Sequence, residues 1–154
     1  MPFIDKIETR AYARATEVPD RVVVSILTLF PEHLKQRVLV QVTRAEGQMG
    51  DAITIIAGVL TGQDDCDSVL GYILGQMDRQ SIRTIERSLN IRLDEQCVFF
   101  LRIDKQAAFQ GTIRMANESD VISVRFHFKQ YPRCRRDDLR LLIEDRLRTA
   151  GGST

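Results

Sequence analysis

Two stretches near opposite ends of the chain alternate apolar and polar residues with a period of two, and nothing else in the sequence constrains the fold as strongly. Between Ile7 and Ala15, Ile7, Thr9, Ala11, Ala13 and Ala15 fall on one side and Glu8, Arg10, Tyr12 and Arg14 on the other. Between Val121 and Lys129, Ile122, Val124, Phe126 and Phe128 alternate with Val121, Ser123, Arg125, His127 and Lys129. Successive side chains of a strand point to opposite faces, so each stretch reads as a half-buried strand. Strands buried on both faces would be continuously apolar instead. The pattern therefore predicts a sheet with one open face.

Helical spacing fills most of the chain between these strands. Thr16 is placed to cap a helix that tolerates Pro19 in its first turn, carries Val22, Val23, Ile26, Leu27, Leu29 and Phe30, and stops at Pro31. Arg37 to Arg44 reads as a strand with Val38, Val40 and Val42 inward. Gly47-Gln48-Met49-Gly50 breaks it, and Asp51 is placed to cap a helix carrying Ile53, Ile56, Ala57 and Leu60. After a turn at Gly62 to Asp65, Asp67 or Ser68 opens a third helix with Val69, Leu70, Ile73, Leu74 and Met77, and Asp78 caps a fourth with Ile82, Ile85 and Leu89. Cys97 to Ile103, Ala107 to Met115 and Val121 to Lys129 read as strands, and Arg136 to Arg148 as a last helix using Leu139, Leu142, Ile143 and Leu147.

The order β-α-β-α-α-α-β-β-β-α predicts an α+β two-layer sandwich, a mostly antiparallel sheet with helices on one face. In a chain of 154 residues this is one domain over 1–150, followed by a disordered tail at 151–154.

Charge and cysteine usage narrow the function. Lys plus Arg number 22 against 21 Asp plus Glu, so the net charge of +1 excludes a polycation that coats nucleic acid indiscriminately. Cys66, Cys97 and Cys134 are widely spaced with no CxxC pair, which argues against a disulfide framework or a zinc site and for a reducing compartment. No apolar run reaches membrane-spanning length, so a cytoplasmic domain without a membrane partner is expected.

Catalytic chemistry finds little support. His33 sits beside Pro31 in a loop and His127 between Arg125 and Lys129 on a strand, with no GxSxG motif. Asp64-Asp65-Cys66-Asp67 lacks the spacing of a calcium loop, and capping or a solvated turn explains it. Without a Walker loop or GxGxxG, no catalytic residue, metal or cofactor is expected, and the chain reads as a non-enzyme.

Basic residues offer more. If the first and last strands share a sheet, Arg10, Tyr12 and Arg14 belong to the same open-face class as Arg125, His127 and Lys129. Cations for phosphate, interleaved with a ring that stacks on a base, are what single-stranded RNA requires. The alternative is a solubilising face with cross-strand pairs, such as Glu8 with an arginine. Arg79, Arg83 and Arg87 form a second stripe at helical spacing, with Arg92 beyond; Arg133, Arg135, Arg136 and Arg140 form a third cluster, diluted by Asp137 and Asp138. Gly47-Gln48-Met49-Gly50 has the form of a KH-type GXXG loop, but a strand precedes it and Glu46 and Asp51 flank it, which favours a tight turn.

Leu101-Arg102-Ile103-Asp104-Lys105-Gln106 followed by Gly111, together with Ala15-Thr16-Glu17, the Glu46-Gly47 to Gly50 turn and the overall length, resembles a family of small archaeal proteins described as RNA-binding and exosome-associated. The resemblance implies a fold like that of the fifth large-subunit ribosomal protein, RNA binding, and a link to the RNA-processing exosome. The matching positions are Arg102, Asp104, Lys105, Gln106 and Gly111. Strand alternation turns Arg102 away from Leu101 and Ile103, and Lys105 is expected to be free for phosphate. The expected RNA contacts are thus Arg10, Tyr12, Arg14, Arg102, Lys105, Arg125 and Lys129. A protein–protein adaptor without direct RNA contact is the competing expectation.

Overall fold

The computed structural model describes residues 1–46, 50 and 52–152. In chain order they form β1 (Phe3–Ala13), α1 (Pro19–Leu27), β2 (Leu39–Glu46), β3 (Ala52–Thr61), α2 (Gln63–Gln76), α3 (Arg79–Arg87), β4 (Val98–Asp104), α4 (Lys105–Phe109), β5 (Val121–Lys129) and α5 (Arg136–Gly152). The five strands make one antiparallel sheet in the order β2-β3-β1-β5-β4. Helices cover one side of it, giving the expected α+β sandwich. The two strands with the clearest alternation are neighbours at its centre.

Burial follows the alternation. Ile7, Thr9, Ala11 and Ala13 of β1 and Ile122, Val124, Phe126 and Phe128 of β5 are buried, while Arg10, Tyr12, Arg125 and Lys129 are exposed. Ile56 and Leu60 of β3 and Phe99, Leu101 and Ile103 of β4 extend the inner face, and Phe99 stacks on Phe126 with ring centroids 5.6 Å apart. Ile26, Leu70, Ile73, Ile85, Leu139, Ile143 and Leu147 close the core from the helices.

At Gly58 the helical layer comes unusually close to the sheet. A Cβ there would lie 2.8 Å from Thr9 Oγ1 and 3.2 Å from Ile26 and Val38, so only glycine admits this contact. The hydroxyl of Thr9 donates to the Gly58 carbonyl at 2.9 Å across the same pair.

Two elements differ from their expectation. The segment expected as the Asp51-capped helix is strand β3, with Thr54, Ile56, Gly58 and Leu60 inward. Its Ile and Thr residues and Val59 are β-branched, stiff at χ1 and better suited to a pleated surface than to a helix. The spacing of Ile53, Ile56, Ala57 and Leu60 happens to satisfy both periods. Conversely, the expected strand Ala107 to Met115 is the short helix α4 followed by extended chain, with one bridge between Ile103 and Met115. Asp104 starts the helix by accepting from the Ala107 N–H at 2.9 Å.

Smaller corrections concern the ends. Val18 rather than Thr16 stands before α1, with Pro19 as its first residue, where a fixed φ and a missing N–H cost nothing. α2 starts at Gln63, placing Asp64 and Asp65 in its first turn, where the helix dipole favours them. Val40 and Val42 lie on the helix side of β2 by register but are 38% and 52% exposed, because no helix reaches that edge. α5 continues through Gly152, and residues 153–154 of the expected tail lie outside the described residues.

The cysteine reading is overturned. Cys97 and Cys134 form a disulfide that ties the start of β4 to the chain entering α5, leaving Cys66 free and buried. Cysteine usage therefore gives no support to a reducing compartment. No helix among the described residues is long and apolar enough to cross a membrane.

Candidate nucleic-acid interface

The register decides which open-face side chains meet. Arg102 of β4 is opposite Ser123 of β5, and Ser123 is opposite Arg10 of β1, which is opposite Ala57 of β3. In the next row Phe100, Arg125, Glu8 and Val59 are aligned. With neighbouring strands about 4.8 Å apart, Arg10 and Arg102 rise from backbones separated by about 10 Å. Arg125 is one row away, its guanidinium carbon 5.6 Å from the centre of the Phe100 ring. Three cations from three strands thus converge on one patch.

Carboxylates do not neutralise this patch. Arg10, Arg102 and Arg125 form no ion pair among the described residues. The one carboxylate in their rows, Glu8, is directly opposite Arg125 but engages His127 and, at 3.6 Å, Lys6. Burial alone would raise the Glu8 pKa; the charges of Lys6 and His127 outweigh it and hold the carboxyl below its ordinary range. Arg92 lies near Arg102: burial first, then that like charge, lowers its pKa.

Between these side chains the sheet has a hollow of about 140 Å³, bordered by Glu8, Arg10, Tyr12, Ala57, Ser123 and Arg125. Its floor is shallow-sided because Ala57 and Ser123 are small. Tyr12 stands at the rim, 50% exposed.

The structure separates the expected contacts into groups. Arg10, Tyr12, Arg102 and Arg125 share the patch. Arg14 is exposed just beyond β1, its charge acting on Asp120. Lys129 is exposed at the far end of β5 and pairs with Asp5 at 3.2 Å. Lys105 belongs to neither group, and the expectation that it is free for phosphate is corrected. Only 2% of its side chain is exposed; Nζ is 2.9 Å from Glu17 Oε2 and 2.7 Å from Asp120 Oδ1, and donates to the Tyr12 carbonyl at 2.7 Å. It is an internal tie joining the end of β1 to the turns before α1 and β5.

The other basic groups lie elsewhere. Arg79 and Arg83 flank a groove between α3 and α5 together with Glu86 and Glu144. Arg136 is used internally, donating to the carbonyls of Asn90 and Leu93, and Arg140 is near Asp137 and Glu144. In the acidic run, Asp65 pairs with Arg37 and Asp67 with Arg146. Of the GXXG-like turn, Gly50 adopts φ +77°, and residues 47–49 lie outside the described residues. Reading the residues alone missed Phe100 and Ser123; the signal was their parity with Arg102 and Arg125.

An α+β sandwich with an uncovered, arginine-bearing sheet is the class of architecture that single-stranded nucleic acid uses as a platform. The chain belongs to the family described as RNA binding, which it matches over residues 6–128. It is 28% identical over 127 residues to RNA-binding protein PAB1135 of Pyrococcus abyssi, covering 82% of each chain. Protein AF2318 from Archaeglobus fulgidus superposes with a TM-score of 0.78 at 26% identity, over 93% of this chain and 99% of that one. Mth689, a DUF54 protein from Methanothermobacter thermautotrophicus, has the same fold, with a TM-score of 0.75 at 23% identity over 94% and 98% of the two chains.

Proposed function

We propose that this protein is a non-catalytic RNA-binding protein that receives an RNA strand on the open face of its sheet. Arg10, Arg102 and Arg125 contact phosphate and Tyr12 offers a stacking ring, with Arg14 and Lys129 extending the path at its two ends. The observation that carries the reading is the convergence of three arginines, free of carboxylate partners among the described residues, on one solvent-facing patch. Family membership supports it. His127 engages Glu8 and shares no hollow with Asp64 or Asp104 among the described residues, so the reading includes no catalytic step. Association with the exosome, and kinship with the fifth large-subunit ribosomal protein, rest on the resemblance at Leu101 to Gln106.

Fluorescence anisotropy with a single-stranded RNA at two salt concentrations tests the reading. Arg10→Gln with Arg125→Gln should weaken binding and reduce the salt slope by about 2, one for each lost phosphate contact. Wild-type affinity and slope in the double variant would remove the open face from the proposal.

One observation favours an adaptor as the second reading. All eight residues of edge strand β2 are exposed, including Leu39, Val40 and Val42, and an unpaired edge can add a strand from a partner. A stable oligomer by light scattering, with no RNA shift, would select it.

A further inference from the structure

We infer that the hollow astride β1 seats a single pyrimidine ring of an unpaired RNA strand, and that Glu8 selects cytosine over uracil there. The inference rests on the reading of the open face as the RNA surface, and adds which base it takes.

Size comes first. The hollow measures about 140 Å³, and a cavity of about 150 Å³ holds one benzene ring. A six-membered base fits; the second ring of a purine does not. The space exists because Ala57 and Ser123, the cross-strand partners of Arg10, are small at positions where the neighbouring rows carry larger side chains. A base can enter only if it is unstacked, so duplex RNA is excluded in favour of a loop or single strand.

The rim supplies directionality. Tyr12 presents a half-exposed ring for stacking. Arg10 and Arg125 have only donors, suited to the N3 and O2 acceptors of a pyrimidine, and the contact with Phe100 restrains Arg125. Glu8 is the discriminating group. Lys6 and His127 both approach its Oε1, keeping the carboxylate ionised and therefore acceptor-only. Cytosine offers it an amino group at C4; uracil offers a carbonyl there, which a carboxylate repels.

Competition anisotropy with oligo-C, oligo-U, oligo-A and a duplex tests this. Oligo-C should bind about tenfold more tightly than oligo-U, with oligo-A and the duplex weaker still. Ala57→Leu fills the hollow without altering charge and should bring the three oligomers to a common affinity. Glu8→Gln, in which the side chain both donates and accepts, should abolish the preference for C over U while keeping that for pyrimidines over A. Thermal melting confirms that each variant is folded. Equal affinity for all wild-type oligomers, still dependent on Arg10 and Arg125, would overturn the base site and leave the RNA-binding face standing. Oligo-A binding as well as oligo-C, or a preference that survives Ala57→Leu, would also overturn it. No binding to any oligomer at low salt would remove both.

Discussion

Replacing Lys105 by Met distinguishes a structural tie from a phosphate contact. The substitution keeps most of the buried stem and removes an ammonium that serves two carboxylates and a carbonyl. Without it, the carboxylates of Glu17 and Asp120 are left within ~6 Å of each other, a repulsion of up to ~3 kcal/mol at an effective dielectric of 20. Their side chains are 24% and 33% exposed, so water screens part of this. The stranded Tyr12 carbonyl adds about 1–3 kcal/mol. A loss of about 3–5 kcal/mol follows, in the range for breaking one side of a buried ion pair. For a domain of this size that lowers Tm by roughly 10 °C. Circular dichroism melts read the shift, and RNA anisotropy well below the new Tm should give wild-type affinity. A Tm within about 2 °C of wild type, combined with weakened RNA binding, would refute the argument and make Lys105 a ligand contact.

Three further outcomes are expected. Reducing the Cys97–Cys134 disulfide, or replacing both residues with serine, removes a cross-link spanning 37 positions and should lower unfolding free energy by about 3–4 kcal/mol; urea melts with and without reductant check this, and coincident curves would contradict it. Gly58→Ala drives a Cβ against Thr9, Ile26 and Val38 and should cost about 1–3 kcal/mol, read from the same melts; an unchanged midpoint would mean that α1 is not held so close. Stability should fall with acid. Ser81 hydrogen bonds lower the Asp78 pKa; for Asp120 and Glu8, burial pushes upward but hydrogen bonds and neighbouring cations prevail. Each carboxyl is more acidic folded than unfolded, so its contribution is complete above the unfolded value and is lost between about pH 4 and 2. The fall should be smaller in Lys105→Met, and equal stability at pH 6 and pH 3 would contradict the assignment.

The open face was legible because alternation is a local property. Each residue of β1 and β5 declares its side by parity, and Arg10, Tyr12, Arg125 and Lys129 emerged on the exposed side as read. Periodicity served less well where two periods coincide. Ile53, Ile56, Ala57 and Leu60 suit a helix and a strand alike, and pairing with β1 and β2 decided for the strand.

By itself, then, the sequence determined the α+β class, the open sheet and the exposed arginines. Tertiary structure decided which of them act together. Register placed Arg102 beside Arg10 through Ser123, and set Glu8 against His127 rather than against an arginine. It also turned Lys105 inward, toward a carbonyl 93 positions away. Such pairings depend on where distant segments come to rest, and a one-residue slip in register would exchange every partner. Parity is written residue by residue, whereas the neighbour across the sheet exists only after the chain has folded.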